Sequence, residues 1–355
     1  MAKIRVLVVE DSLTIRQHLV NIVRADPDLE LLGETDNGKS AIELCQTLRP
    51  DVMTLDMMLP VLTGLQATEQ IMAHCPTPIL IVSASINRGE LFRTYDALAA
   101  GAVDVLEKPT GQEPDGQWER RFLSTLKLVS RIKVITHLRG RLAHWQRAAQ
   151  LNPDRVGEAS VRRVVAIGAS TGGPGAVTEV LRALPAPFPV PILIVVHIGA
   201  PFGAAFAEWL DGQSPHRVAA ASDGMRLATA AGTVLLAPAD QHLSLQGGAV
   251  RLTRDPERHS CRPSVDTLFE AVAREYGSSA VACLLTGMGR DGAAGLLEIR
   301  RAGGLTIAQD ERTSVVHGMP REAILLGAAE RVLALDEIGP AVAAELCGVQ
   351  KRRAP

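Results

Sequence analysis

Short apolar runs alternate with helix-like stretches along residues 1 to 110, and this alternation constrains the fold more than any other feature. The runs IRVLVV, LELLGE, DVMTL, PILIVS and VDVLEK are separated by amphipathic segments at Leu13 to Arg24, Lys39 to Leu48, Leu65 to Cys75 and Glu90 to Ala99. Runs this short and rich in Val, Ile and Leu suit strands buried on both faces, so the pattern predicts a parallel sheet covered by helices. GQEPDGQ at 111–117 is turn-forming and closes the unit. A helix-spaced basic stretch follows from Trp118 to about Gln150, LNPDRVGEAS breaks it, and RRVVAIG opens a second α/β segment. The expected fold class is α/β in two domains, each a mostly parallel sheet covered by helices. The expected divisions are 1–117, a basic helical connector at 118–155, a second domain at 156–348 and a tail at 349–355.

A length of 355 residues exceeds what one hydrophobic core usually supports, which agrees with two cores. The net charge of -2 gives no general reason to expect nucleic acid or an anionic membrane as partner. Residues 1 to 110 hold 9 Lys and Arg against 15 Asp and Glu, a net of -6, whereas residues 118 to 150 hold 8 against 1, a net of +7. The basic stretch carries no recognisable DNA-binding motif and reads as a solvated helix face beside an acidic domain. Five cysteines at 45, 75, 261, 283 and 347 are odd in number and scattered, without metal-type or redox-type spacing, as in a reduced cytoplasmic protein. The start, MAKIRVLVVEDS, reads as neither signal peptide nor membrane anchor. Cytoplasmic localisation without membrane insertion is the expectation.

In a parallel sheet, ligands collect beyond the carboxyl ends of the strands. Glu10 and Asp11 end the first apolar run, Asp56 the third, Ser83 the fourth and Lys108 the fifth. Three carboxylates brought together repel one another, and a hard divalent cation such as Mg²⁺ relieves them. Asp56 could then attack phosphorus, with Lys108 and Ser83 holding oxygens of the acyl phosphate. Each of these residues alone also fits an ordinary polar strand end. Five at the ends of the right strands do not.

VLVVEDS, DVMTLDMMLPVLTGL, PILIVSAS and GAVDVLEKP resemble the motifs of two-component response-regulator receiver domains, over about 110 residues. The resemblance implies a flavodoxin-like doubly wound domain with Asp56 as phospho-acceptor and Ser83 and Lys108 sensing the phosphoryl group. It implies Mg²⁺ held by Glu10, Asp11, Asp56 and the backbone carbonyl of Met58, and a sensor histidine kinase as donor. One departure is Val105, three residues before Lys108, where receivers commonly carry an aromatic side chain.

The second domain opens with RRVVAIGASTGGPGAVTEVLRAL, a buried strand, a glycine-rich turn and a helix, with Ser170 at the tightest point. Small neighbours let backbone approach a bound group, and a helix start offers free N–H donors to developing negative charge. GASTGG is neither a dinucleotide nor a P-loop fingerprint. A serine nucleophile needs a base and an orienting acid. His197 ends the run PILIVVH, and Asp291 follows a run and a glycine turn in AVACLLTGMGRDGAAG. Singly, His197 reads as a core histidine and Asp291 as a helix N-cap; the coincidence of three argues for catalysis. The order Ser, His, Asp differs from those of α/β-hydrolases, chymotrypsin and subtilisin. Arg262, Ser264 and Asp266 either line a cleft or cap a helix start. His242, His259 and His317 show no spacing that groups them as zinc ligands.

VAIGASTGGP, VVHIGAPFGAAFAEWL, LAPADQHL, HSCRPSVDTLFEAVA, LLTGMGRDGAAG and AQDERTSVVHGMPREA resemble the catalytic domain of chemotaxis protein-glutamate methylesterases, the CheB family, from about residue 160 to 345. The resemblance implies a Rossmann-like methylesterase domain with Ser170 as nucleophile, His197 as base, Asp291 as its orienter and the Met288 backbone amide in the oxyanion hole. It implies hydrolysis of glutamate γ-methyl esters on methyl-accepting chemoreceptors, with glutamine deamidation as a second activity and no cofactor for the esterase. It also implies gating of the Ser170 cleft by the receiver. The competing expectations are a receiver-gated hydrolase of a small-molecule ester or amide and a non-catalytic phosphorylation sink.

Overall fold

A computed structural model of the chain describes residues 2–84, 88–109, 111, 114, 116–132, 134 and 162–347. Most of the connector and all of the tail lie outside the described residues. Contacts divide the chain into two units: 1–83 with 100–160, and 84–99 with 161–355.

The first unit follows the order β1 (Ile4–Val9), α1 (Leu13–Ala25), β2 (Leu29–Thr35), α2 (Gly38–Leu48), β3 (Val52–Leu55), α3 (Gly64–His74), β4 (Ile79–Ser83), α4 (Arg88–Ala99), β5 (Asp104–Glu107) and α5 (Gln117–Val129), of which α4 groups with the second unit. Its five strands are all parallel in the order β2-β1-β3-β4-β5, the flavodoxin-like arrangement. The order reverses between β1 and β3, so the crevice at their carboxyl ends receives Glu10, Asp11 and Asp56. β3 and β4 are buried at every residue, because helices cover both faces.

The stretch expected to begin the connector is instead, among the described residues, the last helix of this unit. Trp118, Phe122, Leu126 and Val129 recur at helical spacing and are all buried. The Trp118 indole donates to the Glu107 carbonyl at 2.8 Å and stacks on Phe122 at 5.2 Å. The basic residues occupy the opposite side, where Lys127 pairs with Asp26 and Asp28. Sequence period alone does not separate a packed amphipathic helix from a solvated one; the apolar stripe decides, and here it is buried.

The second unit contains β6 (Val164–Ala169), α6 (Gly173–Ala183), β7 (Ile192–Val196), α7 (Ala200–Gln213), β8 (Arg217–Ala220), β9 (Thr233–Leu236), β10 (His242–Gln246), β11 (Ala249–Thr253), α8 (Val265–Tyr276), β12 (Ala280–Leu284), α9 (Ala293–Arg301), β13 (Leu305–Gln309), α10 (Met319–Leu325), β14 (Arg331–Leu333) and α11 (Leu335–Cys347). Seven parallel strands run β14-β13-β12-β6-β7-β9-β8, and β10 and β11 form a separate antiparallel hairpin. Alternate strand residues such as Val164, Ala166, Leu193, Val195, Ala282 and Leu284 share one core with Phe269 and Val272 of α8 and Leu296 of α9. α6 and α11 pack against each other. From β6 the chain builds outward through β7 on one side and β12 on the other. The reversal falls between β12 and β6, where ligands of open α/β sheets bind.

No helix among the described residues is long and apolar enough to cross a membrane.

Candidate functional site

Three adjacent strands, β12, β6 and β7, carry the residues singled out from the second half of the sequence. Ser170 directly follows β6 and His197 directly follows β7, and the two strands are in register up to Ala169 and Val196. Adjacent strands lie about 4.8 Å apart, so the two residues leave the sheet as neighbours. The His197 N–H donates to the Ala169 carbonyl at 3.0 Å, extending that pairing by one step. Asp291 comes from the loop between β12 and α9.

Ser170 begins a tight turn. Its carbonyl accepts from the Gly173 N–H at 2.6 Å, and Gly172 between them has φ 77°, a left-handed conformation that costs glycine little. Its own N–H donates to the Thr286 carbonyl at 3.0 Å, which joins the ends of β6 and β12. Thr286 is fixed in turn: its N–H donates to Gln309 Oε1 at 2.8 Å and its hydroxyl to the Thr171 carbonyl at 3.0 Å. Gly287 lies directly over Ser170, since a Cβ there would fall 2.7 Å from the serine Cβ. The next residue, Met288, has a half-exposed side chain, and its N–H meets no acceptor among the described residues.

Asp291 is buried and accepts four hydrogen bonds. Oδ2 receives the His197 Nε2–H at 2.8 Å and the Val265 N–H at 2.7 Å; Oδ1 receives the Ser264 hydroxyl at 2.7 Å and the Asp266 N–H at 3.0 Å. Burial alone would raise the Asp291 pKa, but the His197 hydrogen bond and charge outweigh it and hold the carboxyl below its ordinary value. An ionised Asp291 only accepts, so Nε2 carries the proton and Nδ1 is left as the nitrogen free of Asp291. Burial pushes the His197 pKa down, yet contacts from Asp291 and Cys261 prevail and raise it to about 9.

His197 Nδ1 lies 3.6 Å from Cys261 Sγ, and among the described residues no hydrogen bond joins it to the Ser170 hydroxyl. The structure thus links His197 to Asp291 and sets Ser170 on the neighbouring strand end without that contact. Cys261 was missed in the sequence, where it read only as one of five scattered thiols. Ser264 is fully buried and takes the capping alternative, accepting the Thr267 N–H at the start of α8, while its hydroxyl donates to Asp291. Asp266 accepts from Gly295 N–H and pairs with His259, whereas Arg262 pairs with Asp240. His242 Nδ1 accepts the Ser264 N–H at 3.1 Å. His259, Asp266 and Asp291 offer ligand atoms within 4.8 Å of one another, a grouping that sequence spacing did not suggest.

In the first unit, oxygens of Glu10, Asp11 and Asp56 lie within 4.8 Å of one another. Lys108 reaches Glu10 at 2.9 Å and Asp56 at 3.1 Å, and its N–H donates to the Ser83 carbonyl at 2.9 Å. Burial and the Asp56 charge push the Glu10 pKa up to about 7. Burial raises that of Asp56 against the pull of Lys108. Glu10 Oε2 is buried without a hydrogen-bond partner among the described residues. Three clustered carboxylates of which one lysine pairs with two, with Glu10 Oε2 left orphaned, make a donor set that fits a hard divalent cation. Ser83 is fully buried at the end of β4, and Met58 is half-exposed just past Asp56.

Both halves of the chain are similar to known proteins. A profile of the CheB methylesterase family matches residues 165–342, and one of the response regulator receiver domain matches residues 6–114. The chain is 44% identical over 347 residues to a protein-glutamate methylesterase/protein-glutamine glutaminase of Nitrosospira multiformis, covering 96% of each. It is 46% identical over 335 residues to protein-glutamate methylesterase/protein-glutamine glutaminase 2 of Anaeromyxobacter dehalogenans, covering 94% of this chain and 95% of the relative. The Thermotoga maritima CheB methylesterase catalytic domain superposes with a TM-score of 0.49 at 37% identity, covering 51% of this chain and 97% of that one. The chain belongs to the CheB methylesterase family and carries a response regulator receiver domain ahead of the methylesterase domain.

Proposed function

We propose that the chain is a phosphorylation-controlled protein-glutamate methylesterase that hydrolyses glutamate γ-methyl esters of methyl-accepting chemoreceptors to glutamate and methanol, and deamidates receptor glutamines at the same site. The observation that carries this reading is the 2.8 Å hydrogen bond from His197 to an ionised Asp291, at a strand end beside that of Ser170.

In the mechanism, Asp291 holds Nε2–H and so keeps the lone pair on Nδ1. Nδ1 takes the Ser170 proton as Oγ attacks the ester carbonyl, which requires the imidazole to leave Cys261 and meet Ser170. The oxyanion forms beside the Met288 N–H, a donor worth about 3 to 4 kcal/mol in such sites. Protonated His197 returns its proton to the leaving methoxide and methanol departs. Water, deprotonated by the same nitrogen, attacks the acyl-enzyme, releasing glutamate and restoring Ser170. With ammonia as the leaving group the same steps deamidate glutamine.

Control enters through Asp56, which accepts a phosphoryl group from a sensor histidine kinase. Glu10, Asp11, Asp56 and the Met58 carbonyl would hold Mg²⁺, which supplies charge neutralisation for the attack. Lys108 and Ser83 then bind phosphoryl oxygens. The test is methanol release from methylated chemoreceptor by the full chain, with and without an acyl-phosphate donor. Wild type should release methanol faster with the donor, Asp56→Asn should not respond to it, and Ser170→Ala should release none. Activity in Ser170→Ala would end the reading.

A further inference from the structure

Cys261 is held against His197 by a strained turn. Arg258 and Cys261 exchange backbone hydrogen bonds at 3.1 and 2.9 Å, and the two residues between them, His259 at φ 52° and Ser260 at φ 59°, are both left-handed without being glycine. Side chains fasten the turn. Arg258 makes two hydrogen bonds to Glu270 at 2.7 and 2.8 Å, and His259 pairs with Asp266 at 3.0 Å. The turn delivers a thiol to the one imidazole nitrogen that Asp291 leaves free.

The resulting pair has the dimensions of a metal clasp. In a tetrahedral zinc site, Zn–S is about 2.3 Å and Zn–N about 2.0 to 2.1 Å, which puts the sulfur and nitrogen about 3.6 Å apart. Cys261 Sγ and His197 Nδ1 are separated by 3.6 Å. Behind the imidazole, Asp291 accepts the other ring N–H, the arrangement that orients metal-binding histidines. His197, Cys261 and Asp291 offer ligand atoms within 4.8 Å of one another, but the Asp291 oxygens already serve four donors, so it orients rather than ligates. A thiol with an imidazole selects zinc over magnesium, which prefers oxygen. Cys261 is also accessible, whereas Cys45, Cys75 and Cys283 are buried.

We infer that Cys261 and His197 form an inhibitory binding site for Zn²⁺ at the candidate active site. Binding forms one Zn–S and one Zn–N bond, displaces four of the six waters of the hydrated ion, and releases to solvent the thiol proton together with the Nδ1 proton wherever His197 starts as imidazolium. Two solvent positions remain on the metal, so the ion exchanges. While bound, it occupies the Nδ1 lone pair and His197 cannot take a proton from Ser170. The loss of activity rests on the esterase reading; the binding does not.

The test uses the full chain in excess Mg²⁺ with Co²⁺ as optical probe, since a thiolate ligand gives cobalt a near-ultraviolet charge-transfer band. Wild type should develop the band up to one equivalent and lose it on addition of Zn²⁺; Cys261→Ser and Cys261→Ala should not develop it. Zinc should inhibit methanol release reversibly, with a chelator restoring the rate. The half-inhibiting concentration should rise at least about tenfold in both variants, each measured against its own zinc-free rate. No band in wild type, or an equal band in folded Cys261 variants, would overturn the site. Equal zinc sensitivity would overturn its inhibitory role. If the chain released no methanol at all, the cobalt titration would still decide the binding.

Discussion

His197 Nε2 and Asp291 Oδ2 are 2.8 Å apart, and the same carboxylate accepts the Ser264 hydroxyl and the backbone N–H groups of Val265 and Asp266. One buried charge therefore orients the imidazole and caps the start of α8 together. In the proposed mechanism this ties catalysis to stability at one residue, and its substitution should move both.

Asp291→Asn keeps the volume and removes the charge. The imidazole loses the partner that fixes its tautomer, and methanol release should fall by roughly 10³- to 10⁴-fold. Replacement by alanine would also leave three further donors unpaired, so the melting temperature should drop for Asp291→Ala by more than for Asn. Calorimetry and the esterase assay on both variants check this.

The pH dependence follows from the sign of the His197 shift. Burial pushes its pKa down, Asp291 and Cys261 push it up, and the result is about 9. In the proposed mechanism His197 acts as a neutral base, so kcat/KM should rise with pH and level off only on the alkaline side. Cys261→Ala removes one of the two raising partners and should move the limb to lower pH. Superimposable profiles would contradict the contact.

Charge in the receiver cluster should be visible in stability. Glu10 rises from 4.5 to about 7 on folding, so its contribution is fully present below pH 4.5 and is lost as pH climbs through 7. Without divalent cation, the receiver transition of the full chain should melt lower at pH 8 than at pH 5. Mg²⁺ should raise it at pH 8 far more than at pH 5, and Glu10→Gln should flatten the pH dependence.

Gly287→Ala would place a Cβ 2.7 Å from the Ser170 Cβ and 2.4 Å from Met319 Sδ. Such overpacking costs about 1 to 3 kcal/mol and should displace Ser170, so activity should fall with stability. Gly212→Ala, with nothing within 4 Å, should be neutral or slightly stabilising, because alanine suits a helix. Thermal melts of the pair separate crowding from a general effect of losing glycine.

The residue types and their strand-end positions were legible in the sequence, because a strand buried on both faces is a short apolar run and its last residue is read off directly. Glu10, Asp56 and Lys108 in one half, and Ser170 and His197 in the other, are found that way. The basic charge of Arg120, Arg121 and Lys127 suggested a connector, and only packing revealed that Trp118, Phe122, Leu126 and Val129 make that stretch a core helix. Nor does the sequence encode visibly that Arg258 to Cys261 close a turn through two left-handed residues, since neither His259 nor Ser260 is the glycine that would announce one. Local pattern thus determined the strands and what stands at their ends. Contacts between residues 64 apart, such as Cys261 with His197, were decided by tertiary structure, because they depend on the register of strands and on turns whose strain is held by distant partners.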